Sequence, residues 1–301
     1  MESYDVLVIG AGPAGLSGAL VLGRCRRRVC VIDSGHGRNA RARHAHGIFT
    51  RDGATPAELR TMGRAQLAPY DVTIHDDEVI TIDGATEGQF VATTRDGRSV
   101  QAKKLLLATG MRDRIPERPG FRELFGRAVF VCPYCDGWEV KDRRLAAYGP
   151  AKAAAELALS LRTWSDDVAC VTTGDRVSDE DRTSLLRNGV TIHEDDVQRL
   201  DFDAKAETLA AMVLVSGTRL ERDALFVKLG EEQAAPFVHQ FDCELTDNNT
   251  VCPREGERVG APGVFVAGDA SHDLQLVAIA ISEGVKAACA INTELRKESQ
   301  R

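Results

Sequence analysis

"YDVLVIGAGPAGLSGALVLGRCRRRVCVIDSG", residues 4–35, reads as a strand, a glycine turn, a helix and a second strand. The run from Asp5 to Ile9 is almost entirely apolar, the pattern of a strand buried on both faces of a parallel sheet. Gly10, Gly12 and Gly15 then complete G-x-G-x-x-G at the mouth of the helix. The first glycine permits the tight turn, the second lets the backbone approach a pyrophosphate, and the third lets the helix pack closely on the strand. The N–H groups of the helix terminus face the diphosphate. The second strand, "RVCVID", ends in Asp33, 18 residues beyond Gly15, where a carboxylate can accept hydrogen bonds from a ribose hydroxyl. A glycine turn alone is weak; strand, turn, helix, strand and acid together indicate a dinucleotide site.

The chain of 301 residues has room for one large domain or two ordinary ones. Its net charge of -7 argues against nucleic acid or an anionic membrane as a main partner, since both reward a basic surface. "MESYDVLVIG" is acidic where a secretion signal is basic. The uncharged run from Val6 to Gly23 is long enough to suggest a membrane span, but glycines and a proline interrupt it. A cytoplasmic protein is expected. Of eight cysteines, only Cys132 and Cys135 are separated by just two residues. In a reducing compartment such a pair is more often catalytic or metal-bound than structural.

That pair lies in "VFVCPYCDGWEV", residues 129–140. Two thiols at this spacing can clasp a metal, exchange electrons as a disulfide, or sit in a core. Zinc needs four ligands, and Cys243 and Cys252 offer no second motif. No metal is expected. A disulfide closed over two residues is reactive and easily re-reduced.

Two further segments bear on which dinucleotide binds. "KKLLLATGMRDRIP", residues 103–116, is a buried strand ending in Ala108, Thr109 and Gly110. "GVFVAGDASHDLQLVAIAISEGVKAACAIN", residues 263–292, is a strand ending in Gly268 and Asp269, followed by a long helix. Both resemble the second and third fingerprints of two-dinucleotide flavoproteins, which implies FAD. With Cys-Pro-Tyr-Cys-Asp-Gly at 132–137, the chain from Tyr4 to about Leu295 resembles the low-molecular-weight thioredoxin reductase family. The resemblance implies an α/β fold with two Rossmann-like, two-dinucleotide-binding domains, the FAD domain being discontinuous. It also implies a homodimer.

By the same resemblance Cys135 would face the flavin, Cys132 would exchange with the substrate, and Asp136 would move the proton. The FAD contacts would come from Gly10, Gly12, Pro13, Ala14 and Gly15 in the turn, from Asp33, Ser34, Asn39 and His46 beyond it, and from Val79. Ala108, Thr109 and Gly110 would add to them, as would Gly268, Asp269, Gln275, Val277 and Ala278. The partners would be a small dithiol or disulfide, or a thioredoxin-like protein.

The second nucleotide motif departs from the family. Members using NADPH carry G-x-G-x-x-A and then a basic patch for the 2′-phosphate. Here "RRLAAYGPAKAAAELALSL", residues 143–161, gives Gly149, Pro150, Ala151 and Lys152. An Ala Cβ at the second-glycine position obstructs a pyrophosphate. "DVACVTTGDR", residues 167–176, ends in Thr172, Thr173 and Gly174, leaving Arg176 as a single basic residue. NADPH is therefore a doubtful ligand, and the fold of the domain is expected to outlast its ligand.

This departure is similar to that of dithiol oxidases of gliotoxin- and holomycin-type pathways, which pass electrons through FAD to oxygen, and to relatives taking electrons from ferredoxin or another donor. "RNARARHAHGIFTRDG", residues 38–53, also resembles the dithiol oxidase-like members. His46 would then lie by the flavin and activate a thiol, with His272 as a second candidate base. The alternative for His44, His46 and His272 is solvent-facing loop residues. The NADPH-dependent reductase and a non-catalytic flavin redox sensor stay as alternatives.

The domain crossings are expected near Arg112–Arg118 and Asp242–Asn249, giving 1–114 and 245–301 as the FAD-binding domain and 115–244 as the insertion. Thr55, Pro56 and Glu58 mark a capped scaffold helix. "HEDDV", residues 193–197, reads as a solvated turn, and "LRKESQR" as a frayed tail.

Overall fold

The structure is a computed structural model that describes residues 1–84, 89–271 and 274–300. The chain forms two compact units. The first comprises Met1–Ala40, Gly47–Arg112 and Glu231–Arg301, and the second Arg41–His46 and Asp113–Gly230.

In the first unit, strands Val72–Asp76, Val29–Asp33, Glu2–Ile9 and Ser99–Leu107 lie side by side and parallel. Val264–Val266 adds in parallel to Ser99–Leu107, while Phe90–Thr94 and Val79–Asp83 continue the sheet antiparallel. Glu2–Ile9 is central: the chain crosses over from it to Val29–Asp33 and Val72–Asp76 on one side, and comes back to its other side through the hairpin of Phe90–Thr94 and Ser99–Leu107. The residues just past Ile9 therefore sit at a topological switch point, where ligands of open α/β sheets bind. The apolar alternation fills both faces: Leu7, Leu105 and Val266 join one core, and Val6, Val8 and Leu106 the other. On the second face helices Pro13–Arg24 and Val277–Glu298 pack so closely that a Cβ at Gly284 would collide with the Ala14 carbonyl oxygen.

In the second unit, Thr191–His193, Val168–Thr172, Leu145–Gly149, Ala224–Val227 and Val129–Phe130 form a parallel sheet in that order. Helix Ala151–Leu161 covers one face with Ala154, Ala155, Ala158 and Leu161. The other face carries a three-stranded antiparallel sheet, Val197–Asp203, Thr208–Leu214 and Arg219–Glu221, through Leu200, Leu209 and Met212.

The second crossing falls at 230/231, earlier than the 242–249 region suggested by sequence. The reason is apolar: Phe237, Val238 and Phe241 enter the first unit's core, where the Phe241 ring meets Phe90 edge-on at 5.9 Å. The C-terminal segment is likewise no frayed tail as far as Glu298. The last helix runs through it, Leu295 is buried, and Glu298 accepts from Lys104 at 2.6 Å. Nor is 193–197 a solvated turn, since Asp196 takes both nitrogens of Arg118 at 2.7 Å and the Tyr148 hydroxyl at 2.5 Å. Thr55 and Glu58 form the expected capping box.

Candidate active site

The first cradle is built by sterics. Gly10 has φ +102°, and a Cβ there would collide with the Ala108 carbonyl oxygen. A Cβ at Gly15 would collide with the carbonyl oxygen of Gly10. At Gly12 a Cβ would meet no described residue within 4 Å, so among these residues the glycine borders open space at the head of the helix that Pro13 and Ala14 begin. Asp33 is buried, and its Oδ1 accepts the Ala11 N–H at 2.9 Å while Arg60 donates to Oδ2 at 2.5 Å. The acid thus ties the glycine turn to the end of the second strand and keeps lone pairs for another donor.

Asp33 and Ser34 also line a cavity of about 320 Å³ together with Asp76, Asp77 and Glu78. Beside the turn, Gly110 takes φ +71° and the buried Thr109 hydroxyl has no hydrogen-bond partner among the described residues. Such an orphan is costly unless a ligand satisfies it. Gly268, at φ +83°, donates its N–H to the buried Glu283 at 2.7 Å. Its neighbour Asp269 pairs with Arg38 at 3.1 Å. Arg38 also donates to Gln275 and to Glu231. Val277 and Ala278 open the last helix, where first-turn N–H groups have no intrahelical acceptor. The open glycine, the orphaned hydroxyl and the helix heads fit a dinucleotide such as FAD.

Several expected contacts are placed less specifically. Val79 is buried in the apolar core of the first unit, while Asn39 is half-buried and Ser34 exposed. His272 lies outside the described residues.

The cysteines lie in the second unit. Cys132 precedes the short helical turn Pro133–Asp136, and the two sulfurs are joined as a disulfide. The Cys135 N–H donates to Cys132 Sγ at 3.1 Å, a contact that would stabilise a thiolate there. Asp136 follows directly. Burial first, and the Glu139 carboxylate second, push its carboxyl up to about 7, while His46 opposes them. His46 belongs to this unit, with Nε2 3.3 Å from Glu139 Oε1. A disulfide, a carboxyl that exchanges protons near neutrality and a histidine–carboxylate pair are therefore gathered together. Glu139 escaped the sequence reading, because nothing local links it to residue 46. Tyr134 and Trp138, flanking the cysteines, are 71% and 66% exposed and leave an aromatic surface beside the sulfurs.

The second unit repeats the cradle in outline. Gly149 ends the central strand, and a Cβ there would lie 2.5 Å from the Lys228 carbonyl oxygen. Ala151 stands where Gly12 stands in the first unit and begins its helix. Among the described residues no cluster of three or more His, Cys, Asp or Glu could hold a metal ion. No helix of the described chain is long and apolar enough to cross a membrane.

Residues 4–284 match the family model of the pyridine nucleotide-disulphide oxidoreductases. A probable thioredoxin reductase of Arthroderma benhamiae is 32% identical, over 98% of this chain and 81% of its own length. Thioredoxin reductase sirT of Leptosphaeria maculans is 29% identical, over 96% of this chain and 93% of its own. The crystal structure of HlmI superposes with a TM-score of 0.93 at 34% identity, covering 99% of this chain and 94% of that one.

Proposed function

The chain belongs to the pyridine nucleotide-disulphide oxidoreductase family and is an enzyme, and from that premise we propose that it oxidises a dithiol to a disulfide through Cys132–Cys135 and a bound FAD. The observation that carries this reading is the Cys132–Cys135 disulfide followed at once by a carboxyl that titrates near 7.

FAD would be held by the Gly10–Gly15 turn at its diphosphate, by Asp33 at a ribose, and by Thr109 and Asp269 farther along. When bound, it would supply the two-electron acceptor that returns the cysteine pair to the disulfide, with oxygen or another acceptor as the final electron partner. The protein's own residues do the sulfur chemistry. A substrate thiolate attacks Cys132 Sγ, and the Sγ–Sγ bond breaks with Cys135 leaving as the thiolate. The second substrate thiol then attacks the mixed disulfide, closes the product disulfide and releases Cys132. The substrate loses two electrons and the cysteine pair gains them. Asp136, half-ionised near neutrality, accepts the proton of the incoming thiol. His46, held by Glu139, is a second base.

Two features favour this direction over NADPH-dependent reduction of a thioredoxin-like protein: Ala151 at the second-glycine position and the absence of a basic patch at Thr172–Thr173. The relatives named thioredoxin reductases favour the alternative. Anaerobic mixing of the FAD-loaded protein with a small dithiol, and separately with NADPH, tests the two. Bleaching by the dithiol alone is the expected result. Bleaching by micromolar NADPH within a turnover would hand the assignment to the reductase. If neither bleaches the flavin, both readings fail.

A further inference from the structure

The cradle of the second unit is filled by the chain itself. We infer that Asp175 is a specificity-determining residue, whose carboxylate takes the place of a dinucleotide phosphate and so excludes pyridine dinucleotides. Helix Ala151–Leu161 follows the turn after strand Leu145–Gly149, as helix Pro13–Arg24 follows the strand Glu2–Ile9. The N–H of Ala151, equivalent to that of Gly12, is one of the donors a diphosphate would engage. Here it donates to Asp175 Oδ2 at 2.5 Å.

The carboxylate is fixed from further directions. Thr173 Oγ1 donates to Asp175 Oδ1 at 2.8 Å, and Thr172 Oγ1 donates to the Asp175 carbonyl at 2.7 Å. Gly174 at φ +93° bends the loop so that the acid points back at the helix. Asp175 itself is exposed, as a phosphate in an open cradle would be. Burial works against its charge, but the Ala151 N–H and the Thr173 hydroxyl outweigh it and hold the carboxyl below the usual range. Asp175 is thus anionic at neutral pH, and a diphosphate brought to the same donors meets a like charge at hydrogen-bond range.

Both halves of the obstruction lie in one place, the Ala151 Cβ and the Asp175 carboxylate. The two threonines, which bring no positive charge to a 2′-phosphate, use their hydroxyl donors to hold the acid. The domain therefore keeps a nucleotide-type sheet whose first strand, Val129–Phe130, leads directly into Cys132. Its remaining task is to carry the disulfide.

The inference rests on the flavoenzyme reading only for its second readout. NADPH and NADH binding to the FAD-loaded full chain is measured by equilibrium dialysis, and anaerobic flavin bleaching is recorded in parallel. Five proteins are compared: wild type, Ala151→Gly, Asp175→Gly, the double variant, and Asp175→Asn, which keeps the hydrogen bond and loses the charge. Expected is negligible binding at micromolar nucleotide for wild type and for Ala151→Gly. The double variant should bind at least about tenfold more tightly than Ala151→Gly, with Asp175→Asn between them. A double variant binding no more tightly than Ala151→Gly overturns the inference, as does micromolar binding by wild type. Retained flavin absorbance and dithiol-driven bleaching show that each variant is folded. Loss of dithiol bleaching in wild type would instead sink the proposed function and leave the nucleotide result to stand by itself.

Discussion

Glu283 holds the backbone N–H of Gly268 at 2.7 Å from inside the last helix, and the same oxygen lies 2.9 Å from the Ser271 hydroxyl. The carboxylate is buried and sets the Gly268–Asp269 turn against the head of the molecule's first helix, where a Cβ on Gly268 would lie 2.9 Å from that of Ala14. Glu283→Ala leaves a buried amide without its acceptor. The expected cost is about 1–3 kcal/mol, with weakened flavin retention. Denaturant unfolding of the apo and FAD-loaded proteins checks it; an unchanged midpoint in both rules the role out.

The three glycines of the first turn should separate seat from scaffold. Gly12→Ala meets open space, so the chain should fold with near wild-type stability yet lose FAD. Gly15→Ala drives a Cβ into the Gly10 carbonyl oxygen and should destabilise the fold by more than about 2 kcal/mol. Thermal melts beside flavin absorbance distinguish the two; equal flavin loss at equal stability would contradict this assignment.

The two sulfurs have different expected phenotypes. Cys135→Ser abolishes flavin reduction by dithiols, because the cysteine assigned to the flavin is gone. Cys132→Ser also stops turnover but leaves a thiolate able to give a long-wavelength charge-transfer band. That band in the Cys135→Ser protein instead would reverse the order of roles.

Asp136 predicts two pH dependences. Its carboxyl is raised from 3.8 to about 7 on folding. Between those values the folded protein binds the extra proton, so this group's contribution to stability falls as pH rises through the interval and stays low above 7. Asp136→Asn should therefore raise the melting temperature at pH 8 by a few degrees and leave it unchanged at pH 4. Dithiol oxidation should climb as pH passes about 7, and the variant should lose that limb. A melting difference that is largest at pH 4 would contradict the burial of this acid.

The neighbours of Asp136 should move that limb in opposite directions. Glu139 raises the carboxyl and His46 lowers it. Glu139→Gln is expected to shift the pH–rate limb downward and His46→Ala upward, each by less than burial contributes. A merely structural role for either residue would change the rate at all pH values and leave the midpoint in place.

Much of this was legible in the chain. Gly10, Gly12 and Gly15 declare themselves because their demand is local: the turn excludes a side chain whatever surrounds it. Cys132, Cys135 and Asp136 are adjacent, so their partnership needs no fold to be read. Ala151 was visible as a missing glycine for the same reason. Asp175 was not, because its effect depends on how Gly174 turns the loop back onto a helix formed earlier in the chain. Glu139 and His46 meet only through tertiary structure, and neither belongs to a spaced motif. The second crossing was misplaced because Phe237 and Phe241, read along the chain, give no sign of which core they enter.

The packing of Gly284 against Ala14 carries a consequence for how the molecule is made. Residues 113–230 leave the ribosome before Glu231–Arg301, so the body carrying the disulfide can assemble early. The cradle cannot. Its strand Val264–Val266 and its helix Val277–Glu298 follow residues 113–230 in the chain, although its glycines precede them. Until they are made, the strand Ser99–Leu107 lacks its neighbour Val264–Val266, and the glycine-turn helix lacks the helix that packs on it. A chain cut before Val277 would keep every glycine of the first turn and still have no seat for the cofactor.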